Sequence, residues 1–414
     1  MAKPAIILLL TQTFPPDPAA VGQHMADLAE VLAARGHRVK VLTSDRGYDD
    51  ASVKYAPTEV TAAGVHVRRL RFTSFGKATL VHRALAMLSF IWQAAVRSLF
   101  QRDLGAVVFS TSPPFVGILA VTVAAVRGVP IIFWAMDLNP DQLIALGKLS
   151  RTSFVADILR YANRKILRRT AIVIALDELM AERIRQQAGG HIDVIVIPPW
   201  SPDASLVPVP RERNPFRSSH GLENKRVVMY SGNHTPSNPL TTLLDAAVAL
   251  RDCSLLQFVF VGSGTGKQEV EQYVTRHALE NVLSLPYQPK SELPDSLSAA
   301  DVHVVSLGSE MAGVIHPCKV YGAMAVARPI LYFGPSPSHV SSILDTSENG
   351  WPVQHGDVAA AVRVLRRIAT MPVTELDAFG QRGRAAIDRQ FDPTTLCNAV
   401  SDAIEDVISD RNPT

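Results

Sequence analysis

Short apolar runs alternate with helix-period segments along nearly the whole chain. In the first half the runs Ala5–Leu10, Arg38–Thr43, Val65–Leu70, Ala106–Ser110, Pro130–Trp134, Ala171–Ala175 and Asp193–Ile197 are rich in Val and Ile. Most lack polar alternation, which predicts strands covered on both faces. Helical patterns fall between them, at Gly22–Arg35, Leu80–Phe100, Phe115–Val126, Ser153–Arg168 and Glu178–Gln187. The first puts Met25, Leu28, Ala29 and Leu32 on one stripe and stops at Gly36, a C-cap signal.

The pattern breaks at Pro198-Pro199-Trp200-Ser201-Pro202, and the stretch to about Asn224 is proline-rich and non-periodic. It reads as a linker, 198–223. Alternation restarts with strands predicted at Arg226–Tyr230, Leu256–Val261, Val282–Leu285, Val302–Val305, Pro329–Phe333 and Trp351–Val353. The helices between them run to Gln390, and a last one starts at Pro393. The prediction is an α/β protein of two Rossmann-like parallel-sheet domains, 1–197 and 224–390, facing each other across a cleft that is the default ligand site.

Composition narrows the class. A chain of 414 residues with 47% hydrophobic and 19% charged residues excludes disorder and fits two or three domains. A net charge of +3 does not point to nucleic acid. Cys253, Cys318 and Cys397 are odd in number and far apart, so they fit neither a disulfide framework nor a zinc site and suggest a reducing, cytoplasmic setting. Met1–Leu10 reads as a first strand rather than a signal peptide, and the uncharged stretch Leu104–Val126 is split by Ser110-Thr111-Ser112-Pro113-Pro114, so no span is expected. Charge is uneven, however. His66 to Arg102 holds seven Lys or Arg and no acid; Lys148 to Arg169 holds seven more against Asp157 alone. With the apolar segment Ala84–Trp92 inside the first block, this favours an anionic membrane surface, the alternative being a buried helix with a solvated basic face.

Candidate chemistry lies in the loops after strands. Phe14-Pro15-Pro16-Asp17 leads to Gly22 at a helix start, which either lets a ligand approach or makes a tight turn. No G-x-G-x-x-G is present, which argues against a dinucleotide-dependent dehydrogenase. Tyr230-Ser231-Gly232-Asn233 and Val261-Gly262-Ser263-Gly264 close two strands. The most informative loop runs from Ser306 to Lys319. Gly313 and the backbone N–H groups beside it, with Lys319 in the first turn of the next helix, suit a diphosphate, and Glu310 suits a sugar hydroxyl or a positively polarised sugar carbon; a solvated loop is the alternative. His234 and His316 lie near these loops, while His303 reads as a core histidine. Asp137, after the strand ending at Trp134, either orients or deprotonates an acceptor hydroxyl or, like Asn139, caps a helix.

Together these stretches resemble the retaining glycosyltransferases of family 4, which have the GT-B fold. The likeness is carried by Phe14–Asp17 with Gly22 and His24, Gly36-His37-Arg38-Val39, Asp137-Leu138-Asn139-Pro140, Ile197-Pro198 with Trp200, Tyr230–Asn233, Val261–Gly264, Ala300-Asp301-Val302, and Gly313-Val314 with Pro317, Lys319, Tyr321-Gly322, Met324-Ala325 and Arg328-Pro329-Ile330. It covers nearly the whole chain and is nearest to the branch acting in bacterial exopolysaccharide, colanic-acid and O-antigen assembly. The resemblance implies a nucleotide-sugar donor, usually a UDP-sugar, on the C-terminal domain and a glycan or polyprenyl-diphosphate-linked acceptor on the N-terminal one. It implies no metal or other cofactor. It also implies that Glu310 faces the donor sugar, that Gly313, Val314 and Ile315 offer N–H groups to sugar and diphosphate, that Lys319 contacts the diphosphate, that Tyr287 in Leu285-Pro286-Tyr287 meets the base, and that the last helix, 391–414, crosses back onto the first domain.

The sequence departs from the family pattern at three places. Gly322 stands where many relatives carry a second glutamate, His234-Thr235-Pro236-Ser237 replaces an Arg and Lys pair, and Ser110–Pro113 stands where a number of relatives place a histidine. The nearest branch shares Tyr-Gly at 321–322. These departures leave two rivals, a non-catalytic partner subunit and a nucleotide-sugar epimerase or synthase of the same fold.

Overall fold

The computed structural model describes residues 5–17, 19–47, 50–73, 80–201 and 206–410, with side chains of the helix from residue 80 described from Leu85 onward. Lys77, the Arg83 side chain, linker residues 202–205 and residues 411–414 of the last helix fall outside that set. The chain divides into two compact units, Met1–Pro202 with Pro393–Thr414, and Asp203–Asp392.

The first unit holds an eight-stranded sheet. Its strands are β1 (Ile6–Leu10), β2 (Arg38–Ser44), β3 (Thr58–Val60), β4 (His66–Leu70), β5 (Leu104–Ser110), β6 (Ile131–Trp134), β7 (Ile172–Ala175) and β8 (Val194–Val196). The order is β3-β4-β2-β1-β5-β6-β7-β8, and every pairing is parallel except β3 with β4. Every residue of β1 and β6 is buried, as their unbroken apolar runs require. β3 was not anticipated, because its three residues are all exposed and carry no apolar alternation. The short helix Asp141–Ala145 was also missed.

Helix Pro393–Asp410 belongs to this unit and packs on helix Ala20–Ala34. Cys397, Val400 and Ile404 form its buried stripe. Arg35 bonds Asp402 at 2.6 Å and Glu405 at 2.8 Å, and His37 meets Glu405 at 2.7 Å. Trp200 closes back on the same helix, its indole N–H donating to Asp27 at 2.7 Å and its ring lying edge-on to His24 at 4.9 Å.

The second unit holds a six-stranded, all-parallel sheet of β9 (Arg226–Ser231), β10 (Leu256–Val261), β11 (Val282–Leu285), β12 (Val302–Ser306), β13 (Ile330–Phe333) and β14 (Gly350–Val353), in the order β11-β10-β9-β12-β13-β14. Phe258, Phe260, Leu331 and Phe333 on one face pack against the helices Thr241–Ala249 and Val358–Thr370, within a core that also takes Leu243, Leu244 and Leu365.

The latter half of the stretch expected to be linker is folded into this unit. Residues Arg211–Arg213 form a 3-10 turn and Pro215–Ser219 a short helix, with Phe216, Arg217 and Leu222 buried. The anchor is Asp301, just before β12. Its carboxylate takes hydrogen bonds from Arg211, from Arg217 at 3.2 Å and from the Val227 N–H at 2.7 Å, and Arg226 lies 3.8 Å away. Arg217 also donates to the carbonyls of Ala299 and Leu222, each at 2.6 Å.

Candidate functional site

Parallel sheets bind ligands where the strand order reverses, beyond the carboxyl ends. In the second unit that point lies between β9 and β12. The loops leaving these strands are tied together there. The Gly308 N–H donates to the Ser237 carbonyl at 2.8 Å and the Ser306 hydroxyl to the Pro239 carbonyl at 2.6 Å. The loop after β10 joins them, with the His234 N–H donating to Ser263 O at 2.7 Å and Gly266 N–H to His234 O at 2.9 Å.

The glycines are what let these backbones meet. Gly232 has φ of +132°, and a Cβ there would lie 2.5 Å from Lys319 Cε. Gly262 (φ +130°) lies against Gly232 and 3.3 Å from the Tyr287 ring, measured from the Cβ position, and Gly264 (φ +125°) lies against Asn233. Gly232, Asn233, Gly262, Gly264, Tyr287 and Lys319 therefore converge. We expect Gly232→Ala to displace Lys319 and weaken diphosphate-nucleotide affinity by about tenfold or more, since one strained non-glycine residue costs ~1–3 kcal/mol; calorimetric titration with UDP measures it.

Lys319 opens the seven-residue helix Lys319–Ala325. It is half-buried, its Nζ stands 5.1 Å from the centre of the Tyr230 ring, and burial lowers its pKa to about 8. No carboxylate pairs with it among the described residues. Tyr230 holds this position because its own hydroxyl donates to Asn233 O at 2.8 Å at the strand end. That supporting contact was not anticipated; the sequence shows only an aromatic closing a strand.

Residues Ser309–Met311 form a 3-10 turn that leaves Glu310 exposed, with no ion pair among the described residues. The N–H groups of Val314 and Ile315 are both spent on the Met311 carbonyl, at 2.9 and 3.2 Å. The Gly313 N–H makes no hydrogen bond among the described residues, so one backbone donor of that trio remains for a ligand. The histidines differ in their contacts. His234 is 1% exposed, edge-on to Tyr230 at 4.9 Å, and burial drops its pKa to about 4, which keeps it uncharged at neutral pH. His316 Nε2 lies 2.8 Å from the Tyr321 hydroxyl, which in turn lies 2.9 Å from His339 Nε2. His303 is buried, with Nε2 2.9 Å from Leu297 O.

The remaining candidates belong to the first unit. Gly22 is the third residue of helix Ala20–Ala34, in its first turn, and is buried. A Cβ on it would come within 2.9 Å of Phe14 N and Thr13 C, so the close approach it permits is that of its own loop rather than a ligand. Asp137 follows β6. The helix Asp141–Ala145 starts without a side-chain cap, so neither Asp137 nor Asn139 caps it. Its backbone N–H donates to Thr111 Oγ1 at 3.2 Å, and its carboxylate has no partner among the described residues. Burial raises its pKa to about 6. It lines a cavity of about 40 Å³ with Thr111, Asn139, Asn163 and Gln187. Asn163 donates to Gln187 at 2.6 Å and Gln187 to Asp141 at 2.6 Å. Asn163 and Gln187 were not anticipated, because they sit within two helices with no motif around them.

Comparison with known proteins agrees with this fold. Residues 19–200 match the family described as "Glycosyl transferase 4-like domain" and residues 212–386 that described as "Glycosyl transferases group 1". The chain belongs to the family 4 glycosyltransferases of GT-B fold. It is 26% identical to the glycosyltransferase named WbjE of Pseudomonas aeruginosa over 80% of this chain and 82% of that one. It is 25% identical to WcaI of Escherichia coli K12, named as a colanic acid biosynthesis glycosyl transferase, over 88% and 92%. Among solved structures, Anabaena HepE in complex with UDP and glucose superposes with a TM-score of 0.72 at 17% identity, covering 97% of this chain and 100% of that one.

Proposed function

We propose that this glycosyltransferase moves a sugar from a UDP-sugar to a glycan or lipid-linked acceptor in the assembly of a bacterial surface polysaccharide, with retention of anomeric configuration. The carrying observation is the knot of glycine loops at the β9/β12 switch point around Lys319, a cation that no carboxylate pairs with among the described residues, together with the Gly313 N–H, which makes no hydrogen bond among them. An anionic diphosphate fits that pair of donors, with Lys319 rather than a metal ion as its counter-charge. The Tyr287 ring, 48% exposed beside Gly262, offers a face for the base. UDP is favoured because HepE was solved with UDP and glucose, and polysaccharide assembly because WcaI carries that name.

In this reading the acceptor oxygen bonds to the anomeric carbon on the face from which the diphosphate oxygen departs. The C–O bond to the diphosphate breaks, and the acceptor proton passes to the leaving phosphate oxygen. Lys319 and Gly313 N–H hold the departing charge, Glu310 faces the donor sugar, and Asp137 orients the acceptor hydroxyl. The three cysteines are free thiols, which suits a reducing cytoplasm, where such a donor is available.

A thermal-shift series with UDP, GDP, ADP and UDP-sugars tests the donor, since ligand at 100 times Kd adds about 2.7 kcal/mol of stability. UDP and one UDP-sugar are expected to raise Tm. No response to any nucleotide overturns the reading, and an inverted product in transfer assays overturns retention.

A further inference from the structure

We infer that helices Leu80–Leu99, Val116–Arg127 and Phe154–Leu167 of the first unit form one surface that docks on an anionic lipid bilayer. This extends the lipid-linked acceptor proposed above, yet it stands on separate observations.

Helix Leu80–Leu99 is apolar on two opposite stripes. Ala86, Phe90 and Ala94 are buried, four residues apart, and meet the protein. Leu85, Leu88, Trp92 and Val96 recur at helical spacing on the outer side, with Trp92 71% exposed, and Phe100 follows at 82%. A soluble helix needs only the first stripe. Its neighbour, Val116–Arg127, contains no charge before Arg127 and still turns Ile118, Thr122, Ala125 and Val126 outward. Arg127 ties the two helices at their C-terminal ends, donating to Leu99 O at 3.2 Å and Gln101 O at 2.9 Å. The third helix, Phe154–Leu167, packs against the second and exposes Phe154 (78%), Val155, Ile158 and Tyr161. Adjacent helices thus each present an outward apolar stripe. That is far more than the scattered single residues a soluble surface carries.

Charge selects the occupant. Between residues 80 and 169 the chain carries 11 Lys or Arg and 4 Asp or Glu. Arg102, Arg127, Arg151, Arg164, Lys165, Arg168 and Arg169 are exposed, and Lys165 Nζ sits 5.4 Å from the Tyr161 ring centre. Apolar stripes with aromatic residues and a basic surround match the acyl–headgroup boundary of an anionic leaflet. A second copy of the same face would set cation against cation. Among the described residues no helix is long and apolar enough to cross a membrane, so attachment there would be interfacial.

The test is flotation of the full chain with vesicles of phosphatidylcholine alone and of phosphatidylcholine mixed with phosphatidylglycerol, whose headgroups make the surface anionic. Binding is expected to the anionic vesicles only and to weaken in high salt. The triple variant Leu88→Ser, Trp92→Ser, Ile158→Ser removes exposed apolar area and is expected to cut partitioning about tenfold or more. Its melting temperature and its response to UDP should stay at wild-type values, which separates failure of this inference from failure of the donor reading. Undiminished flotation of the triple variant overturns the proposal, as does absence of binding to the anionic vesicles. A concentration-dependent dimer abolished by the same substitutions also overturns it, since the face would then join two copies.

Discussion

Lys319→Met is expected to lower kcat/KM for the donor by about 10²–10³-fold, the range seen when one preorganised donor to developing negative charge is removed. Methionine keeps much of the stem and deletes the charge. The fold should not suffer, because burial already disfavours the ammonium, as its pKa of about 8 records. Unchanged or higher Tm with lost turnover is therefore the expected pairing. pH gives an independent readout. The ammonium is fully charged well below 8 and deprotonates as pH rises through that value. Diphosphate binding prefers the charged form, so donor affinity should be flat at lower pH and decline above about 8, by at most tenfold per unit. Lys319→Met should lose that decline. A wild-type affinity that is level from pH 7 to pH 10 would exclude the assigned contact.

The second large effect is on stability. Asp301→Ala is expected to cost about 3–5 kcal/mol, because it strands buried guanidinium groups without their counter-charge. Arg217 has a side chain only 1% exposed, and burial already lowers its pKa. The loss also frees the Val227 N–H. Urea unfolding of the second unit, monitored separately from that of the first, measures it. A shift under 1 kcal/mol would mean that Arg211 and Arg217 find water once the carboxylate is gone.

The same cluster explains where sequence reasoning stopped. Strands β1, β5, β6, β9, β10 and β12 were legible because their apolar runs are continuous and end in turn residues. The segment 206–223 was read as linker because proline and arginine there lack periodicity. Its burial depends on an aspartate more than 80 residues further along, and no local pattern reports that. β3 and the helix Leu293–Ser298 were too short to show a period. The site divides in the same way. Gly232, Gly262, Gly264 and Gly313 were legible because positive φ after a strand selects glycine. The Tyr230–Lys319 contact, the Asn163–Gln187–Asp141 chain and the internal use of the Val314 and Ile315 N–H groups were not, since each is fixed by how elements pack.

Because helix Pro393–Asp410 completes the first unit from the far side of the second, that unit is discontinuous in the gene. During translation the first 202 residues leave the ribosome with the seat of Cys397, Val400 and Ile404 bare. At ~5–20 residues per second, the intervening unit delays its cover by roughly ten to forty seconds. The nascent chain is thus exposed to chaperone capture, or to pairing with another nascent copy, over an interval set by the length of its own second half.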